Sequence, residues 1–468
     1  MDKPSHSKRS KRVIKTQVVV VGGGPAGLSA GLILDKGNIS VLLIDENSEL
    51  GGQYYRQRGA LNSSSIDNFR PKGTYLVEAV KKSKISVLTS TYIFAVSDHE
   101  KTLYAFDEST NEVVSILYDF VVVATGSQEL VLPYLGWETI KCMTPGMASR
   151  LFDIDLIEPK QSVVLGGSGP FLLSVASHLL KRGVTVKAIV EYHQPYRIKF
   201  ISLLTIFFPS RLIEYLSYRK ILWDNKVKIH SGYQISCAEP QTSGIKSVFQ
   251  PLDQKSQLSF TSDFLAISYG FSPTIELAAL LDIDLNQSGN SRSPDVRLSG
   301  KTSKDWVYVV GESAGIQGWR SAKIRGEVAA LSIIDSLGTL SLKNLILRFG
   351  KSMSLIYESL FSKIRINTFR EKEPFRFIPS DPTIVCRCEN ISYAEIKRYL
   401  NEDWSSASEI KAETRVGMGT CQGKQCGYAL NRLCSSPHLE PNNKFTNIRA
   451  PIRPLPISAL LQLAEDLD

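Results

Sequence analysis

The apolar positions first gather in a short unbroken run, Val18-Val19-Val20-Val21. Its length and β-branching predict a strand buried on both faces of a parallel sheet. A glycine turn follows, then a helix-compatible stretch from Gly27 to Lys36 and a second apolar strand, Val41 to Ile44, closing on Asp45-Glu46. Strand, helix and strand within about 30 residues make the first unit of a doubly wound α/β sheet. The same grammar restarts near Ser162. Val163-Val164-Leu165 leads into Gly166-Gly167-Ser168-Gly169, a helical stretch to Lys181, Gly183 as a stop, and a strand from Val184 to Val190 ending at Glu191. The run from Trp306 to Glu312 predicts a late strand that returns to the first sheet, with helical residues to about Leu337, so the second unit is nested in the first.

This pattern divides the chain into a basic disordered arm (1–15), a first nucleotide-type domain (16–126 and 300–345), an inserted second one (127–299) and a helical connector (346–380). Pro374, Pro379 and Pro382 set off a small cysteine-bearing domain (381–435), and the tail (436–468), with Pro451, Pro454 and Pro456, reads as extended and lying on another surface. No apolar run approaches the roughly 18–20 residues that span a bilayer. The greasiest stretch, Phe200 to Phe208, reads as a buried helix or strand, a partner contact, or an interfacial element at a membrane surface.

Charge changes this picture little. The chain of 468 residues carries a formal +9, but residues 1–15 hold six basic side chains against one acidic, so the body is nearly balanced. The arm therefore reads as a solubilising tail, not a nucleic-acid arm, and it has no apolar core of a secretory signal. Five of the seven cysteines crowd into 49 residues near the C-terminal end. An odd, clustered set argues for a reducing, cytoplasmic setting with a metal site and against a secreted disulfide framework.

Gly22-x-Gly24-Pro25-Ala26-Gly27 follows a strand and opens a helix, the context a dinucleotide motif requires. Gly22 permits the tight turn, Gly24 lets backbone approach a pyrophosphate, Gly27 lets helix and strand pack, and the helix N-terminus offers free N–H groups to phosphates. Asp45, 18 residues past Gly27, is placed to accept from a ribose, with Glu46 as the neighbouring alternative. Three segments point toward FAD: Gly51-Gly52-Gln53 after the second strand, Ala124-Thr125-Gly126 after the strand Phe120 to Val123, and Gly311-Glu312 beside a ribityl chain, with Ala314-Gly315-Ile316 opening a helix behind it. In the second turn Leu172 stands at the third position, leaving NAD(P), another nucleotide or an empty site open, although Glu191 suits an adenosine ribose.

Cys386-x-Cys388 and Cys421-x4-Cys426, 32 residues apart, supply four thiolates for a 2Fe-2S cluster. A zinc ion would accept the same donors, but zinc sites more often use C-x-x-C knuckles. Ser392-x-x-Glu395 predicts a capping box, and Gly417, Gly419 and Gly423 leave N–H groups free to approach sulfur. Cys434 reads as a spare core thiol, Cys142 and Cys237 as packed, and His178 as packed or solvated. No C-x-x-C pair lies in either nucleotide unit, and no acid–base group for substrate oxidation stands out. The chain thus reads as an electron relay, with a self-sufficient NAD(P)H-dependent flavin and iron–sulfur oxidoreductase as the alternative.

These segments together resemble the A or alpha subunits of opine oxidases, as does Thr414-Arg415-Val416-Gly417-Met418-Gly419-Thr420-Cys421-Gln422-Gly423. Alpha subunits of dye-linked proline and hydroxyproline dehydrogenases and the B subunit of hydrogen cyanide synthase are similar. The cysteine segment resembles a bacterioferritin-associated-ferredoxin type of 2Fe-2S domain with a lengthened final spacing. The resemblance implies two nested Rossmann-type domains of the disulfide-reductase-like flavoprotein fold plus a small helical 2Fe-2S domain. It also implies a hetero-oligomer whose separate FAD-dependent amine oxidase (beta or B) subunit oxidises a secondary amine or amino acid, with electrons passing to a respiratory acceptor. Some relatives hold FMN between subunits and some hold ATP in the alpha subunit, so both stand beside FAD as implied ligands. Membrane contact would be peripheral, at the inner face. Glu312 departs from the aspartate common in flavoproteins, and Leu172 departs in the second turn.

Overall fold

The computed structural model describes residues 12–55, 71–154, 156–253, 256–288, 291–338, 341–369, 379–400, 406–434 and 447–464. The first unit opens with β1 (Arg12–Val21), α1 (Pro25–Lys36), β2 (Val41–Ile44), the single turn α2 (Gly52–Tyr55), α3 (Pro71–Lys81) and β3 (Ser86–Leu88). A meander of β4 (Thr91–Ser97), β5 (Thr102–Asp107) and β6 (Glu112–Val123) completes it, in the order β3-β2-β1-β6-β5-β4. β1, β2 and β3 run parallel, and β6 runs parallel to β1 along its whole length, from Arg12 opposite Val114 to Val21 opposite Val123. Arg12 and Lys15 therefore belong to a paired strand, and Arg12 bonds Asp107 at 3.1 Å. Residues 12–15 of the arm expected over 1–15 are therefore strand, and residues 1–11 lie outside the described ones.

Alternation along β1 sends Val18 and Val20 into one core and Val19 and Val21 into the other, so both faces of the sheet are covered. The first core is closed by α1 and α3, the second by the meander.

The chain then crosses through β7 (Ser127–Glu129) into the second unit: β8 (Cys142–Met143), α4 (Pro145–Asp153), β9 (Ser162–Gly167), α5 (Phe171–Lys181), β10 (Thr185–Glu191), α6 (Pro195–Leu204), a 3₁₀ turn at Thr205–Phe207, α7 (Pro209–Asp224) and β11 (Lys228–Ser231). An antiparallel sheet of β12 (Tyr233–Gln241), β13 (Gly244–Pro251) and β14 (Leu258–Ser262) follows, then β15 (Phe264–Ser268) and β16 (Phe271–Pro273). The parallel sheet has the order β11-β10-β9-β15-β8, and β16 pairs with β7 as a two-stranded neck.

Past the neck, α8 (Glu276–Leu280) and the turn after it deliver Leu277, Ala278, Leu281 and Ile283 to the first unit's core. The inserted unit thus closes at β16, not at residue 299, because these side chains bury against Val19 and Val121. A hairpin of β17 (Leu285–Ser288) and β18 (Ser291–Pro294) precedes β19 (Val307–Val309), which pairs with Val121 to Val123 of β6. The 3₁₀ turn Gly311–Ala314 comes next, so the helix expected to open at Ala314 starts later, as α9 (Trp319–Ser336). The connector is one long helix, α10 (Leu342–Phe369).

The cysteine-bearing domain holds β20 (Ile384–Cys386), β21 (Ile391–Ser392), α11 (Tyr393–Leu400), α12 (Ala407–Thr414) and α13 (Gly427–Leu433). Ser392 and Glu395 form the expected box: Ser392 N–H donates to Glu395 at 2.8 Å, and Glu395 N–H donates to Ser392 Oγ at 3.4 Å. The tail is not wholly extended. It ends in α14 (Ile457–Ala464), whose Ala459 is buried against Phe94, Phe106 and Val113. Ile452 N–H donates to Phe94 O at 3.0 Å and Val113 N–H to Gln462 at 2.8 Å, which straps the tail to the first unit.

α1 and α9 approach so closely that a Cβ at Gly326 would lie 2.2 Å from Ala26 O. Gly326→Val is expected to force the helices apart and lower stability by roughly 2 kcal/mol or more, read as a fall in thermal midpoint.

Candidate functional site

A single cavity of about 2260 Å³ runs between the two units and reaches the cysteine-bearing domain. One wall is the turn after β1, with Gly22, Gly24, Pro25 and Ala26. Gly22 holds φ at +111°, and a Cβ there would meet Ala124 O at 2.3 Å. A Cβ on Gly27 would sit 1.9 Å from Gly22 O, so only glycine lets α1 start this close to the strand end. Gly52 stacks on Gly24: its Cβ would come 2.8 Å from Gly24 Cα. Gln53, Thr125 and Gly126 line the same space.

The two acids after β2 divide their work. Asp45 is buried and committed to the protein: Oδ2 accepts Gly23 N–H at 2.7 Å, and Oδ1 accepts both the backbone and side-chain N–H of Asn47 at 2.8 Å. It shapes the turn. Glu46 lines the cavity half-exposed and pairs with Arg453 of the tail. Of the two acids, Glu46 is thus the freer to accept from a bound molecule, the reverse of the order read from sequence.

At the far wall Glu312 accepts Ser127 Oγ–H at 2.6 Å and Gly318 N–H at 3.2 Å. Tyr54 and Trp319 stack at 5.0 Å with planes 16° apart, and both line the cavity beside Gly311 and Glu312. Among the described residues, Trp319 Nε1 and Glu129 Oε2 are buried without a partner, a donor and an acceptor left over on cavity-lining side chains. Glu129 Oε1 accepts Gly146 N–H at 2.9 Å, and burial pushes the carboxyl up to about 7. Cβ atoms at Gly126, Gly315 and Gly318 would point into empty space. A glycine cradle, a flat aromatic wall and unmatched polar atoms fit an elongated, planar-headed dinucleotide such as FAD.

The second turn is built differently. Glu191 is buried and accepts Gly169 N–H at 3.0 Å and His193 N–H at 3.1 Å, while burial raises its pKa to about 7. The carboxylate that would greet a ribose is already engaged. Leu172 is buried in the core of the second unit, so the third-position glycine is replaced by packing.

The four cysteines come together as two pairs. The thiol of Cys426 hydrogen-bonds Cys386, which also receives N–H groups from Gly417, Glu389 and Cys388; together these hold Cys386 down to about 6. Cys426, donor to Cys386 and buried, is pushed far up. Cys421, raised chiefly by burial, hydrogen-bonds Cys388, and Thr420 Oγ1 lies 3.7 Å from Cys388 Sγ. A Cβ at Gly419 would collide with Cys388 Cβ at 2.3 Å, which fixes the approach of the two loops. Among the described residues no group of three or more His, Cys, Asp or Glu side chains is gathered closely enough to hold a metal ion as the side chains stand. Two thiol pairs ringed by backbone N–H groups offer four sulfur donors of the kind a 2Fe-2S cluster would take. Cys434 is buried and raised to about 12, consistent with a core thiol. His178 bonds Asp153 at 2.8 Å.

The domain is docked on the second unit: Trp137 Nε1–H donates to Ile384 O at 2.5 Å, and Gln128 donates to Lys424 O at 2.9 Å. Cys421 and Lys424 line the main cavity. Sequence reading missed Ser127, Glu129, Trp319, Lys424 and Arg453. Lys424 sits among the unspecified positions of Cys421-x4-Cys426 and the others lie outside the motifs, and the last two reach the site from far along the chain.

Comparison with known proteins gives a matching picture. The pyridine nucleotide-disulphide oxidoreductase profile matches residues 16–326, and the BFD-like 2Fe-2S binding domain profile matches 384–435. The A subunit of opine oxidase from Rhizobium meliloti is 25% identical over 95% of this chain and 87% of its own. The HcnB subunit of hydrogen cyanide synthase from Pseudomonas protegens is 27% identical over 94% of this chain and 96% of its own. In fold, the chain is similar to L-proline dehydrogenase from P. horikoshii, with a TM-score of 0.68, 17% identity, and coverage of 96% of this chain and 80% of that one.

Two outcomes are expected. Glu46 is half-exposed, so Arg453→Ala should cost under about 1 kcal/mol in stability. It removes a cation from the cavity wall, however, and should speed loss of bound dinucleotide on dialysis by about tenfold. For Glu191 the folded pKa, about 7, exceeds the unfolded 4.5, so the unfolded chain gives up its proton first. The carboxyl therefore costs nothing below pH 4.5, and its penalty grows through that window to on the order of 3 kcal/mol above pH 7. The thermal midpoint of Glu191→Gln should accordingly rise relative to the parent as pH climbs from 4.5 to above 7.

Proposed function

The chain belongs to the pyridine nucleotide-disulphide oxidoreductase family, with a BFD-like 2Fe-2S domain near its C-terminal end, and on that premise we propose that it is the electron-transfer subunit of a hetero-oligomeric amino-acid, proline, hydroxyproline or opine dehydrogenase. The observation that carries the reading is the shared cavity: the glycine turn of β1 lines one end, and Cys421 lines another part of the same space. The names of the similar proteins, the A subunit of opine oxidase and the HcnB subunit of hydrogen cyanide synthase, support a multi-subunit setting. The partner in this proposal is a separate FAD-dependent amine oxidase subunit; the acceptor is respiratory.

When bound, a flavin would supply two-electron chemistry and an iron–sulfur cluster one-electron chemistry. The residues of the chain bind and orient. Gly22, Gly24, Pro25, Ala26 and Gly27 shape the phosphate approach, and Glu46 and Glu312 offer acceptors to hydroxyls at the two ends. Gly52, Gln53, Ala124, Thr125, Gly126 and Gly311 form the walls. Glu129 can hold or release a proton at its unmatched oxygen near neutral pH. Cys386, Cys388, Cys421 and Cys426 are the proposed cluster ligands. The rival, a self-sufficient NAD(P)H-dependent oxidoreductase, is less well supported because Glu191 is already engaged in its own turn.

The test is anaerobic reduction of the chain co-purified with its partner, followed by electron paramagnetic resonance, iron and sulfide analysis, and flavin extraction. Cys421→Ser should abolish the cluster signal and cut turnover by at least about a hundredfold while leaving the extracted flavin unchanged. Retention of the signal would sink the ligand assignment, zinc without iron would replace it, and full flavin bleaching by NADH in the isolated chain would favour the rival.

A further inference from the structure

A departure from an ordinary soluble surface lies on α6, α7 and α10. Phe200, Leu203 and Phe207 in the first segment and Ile346, Phe349 and Met353 in α10 all face outward, Phe207 at 72% and Phe349 at 70% exposure. The two segments adjoin: Tyr357 Oη–H donates to Phe207 O at 3.0 Å, and Phe208 packs on Tyr357 at 4.8 Å. Adjoining helices with apolar side chains outward are amphipathic elements turned inside out, and soluble monomers rarely leave such a patch bare.

The charge around the patch selects its partner. Residues 195–224 hold five basic and two acidic side chains, and residues 342–369 hold five basic and one acidic. Three of these bases are engaged with acids: Arg211 with Glu358 at 2.6 Å and Glu214 at 3.7 Å, Arg348 with Asp335 at 2.6 Å, and Lys351 with Glu327 at 2.7 Å. Arg219, Lys220, Lys343 and Lys363 are exposed. Lysine is depleted from protein–protein interfaces, whereas basic side chains beside buried apolar ones are what an anionic lipid surface favours. Tyr196 and Trp223, exposed at the two ends of the α6–α7 segment, are residue types that settle at the headgroup level. Among the described residues no helix is long and apolar enough to cross a membrane, so the contact is with the surface.

We propose that this face docks the chain on an anionic lipid bilayer, with the apolar side chains entering the headgroup boundary and the lysines and arginines meeting lipid phosphates. Thr205, Arg211 and Phe361, from the same helical layer, line the main cavity. Docking by this face would bring the redox site near a lipid-dissolved acceptor, a consequence that rests on the proposed electron-transfer role, whereas the docking itself does not.

The experiment is flotation of the full flavin-loaded chain with vesicles of phosphatidylcholine alone or with 30% phosphatidylglycerol. Binding to the anionic vesicles should exceed that to neutral ones by on the order of tenfold and fall as salt rises. Phe207→Glu with Phe349→Glu should cut it by a similar factor. Ile140→Glu, an exposed position outside these helices, should leave it unchanged, and flavin content and circular dichroism report folding in each case. Equal recovery with neutral lipid, or no effect of the double variant, would overturn the proposal. So would a complex with the co-expressed partner that no longer floats, which would assign the face to an interface within the oligomer, or concentration-dependent self-association abolished by the same variant without vesicle binding. Loss of flavin with intact flotation would count against the cofactor reading alone.

Discussion

The architecture turns on the missing Cβ atoms between α1 and its neighbours. At Gly27 a side chain would strike Gly22 O, and at Gly326 it would strike Ala26 O, so α1 can sit against the end of β1 and against α9 at once. That double approach aims the first free N–H groups of the helix into the cavity and brings β19, Gly311 and Glu312 to the same floor. Loosen it, and the cavity loses its base and the late strand loses its reason to return.

Electrostatics then organises what the glycines leave open. Asp45 and Glu191 look alike in sequence, each an acid closing the second strand of its unit, and each spends its oxygens on backbone N–H groups of its own turn. The difference lies beside them. Asp45 is followed by Glu46, which faces the cavity paired with Arg453, whereas Glu191 is followed by Tyr192. The first unit therefore has a second carboxylate at the cavity and the second unit does not. Arg453 and Lys424 arrive from the tail and the cysteine-bearing domain to balance an acidic rim, so the site is assembled from three separated parts of the chain.

Local chemistry was legible in the sequence, and long-range placement was not. The turn at Gly22–Gly27 and the capping box at Ser392 are short-range patterns whose physics acts within a few residues, and they fold as the spacing implies. Arg12 to Lys15 read as a solvated arm because the bases mask an alternating strand that exists only through pairing with the first half of β6. The insertion's end was misplaced because the apolar residues of α8 carry no mark of which core they enter. Phe200 to Phe208 read as buried, as a partner contact or as an interfacial element, because apolar content gives no direction; only the packed helices reveal that much of this face turns outward.

The shape of β6 has a bearing on how the chain is made. Its first half is sealed early by the β5 hairpin, but the edge at Val121 to Val123 is filled only by β19, which lies beyond the entire inserted unit. During synthesis the stretch from Ser127 to Pro273 emerges whole and can collapse by itself while that upstream edge stands unpaired. Nesting thus exposes the nascent first sheet to wrong partners for as long as the ribosome takes to reach Val307. A chaperone acting on this protein has its natural window there.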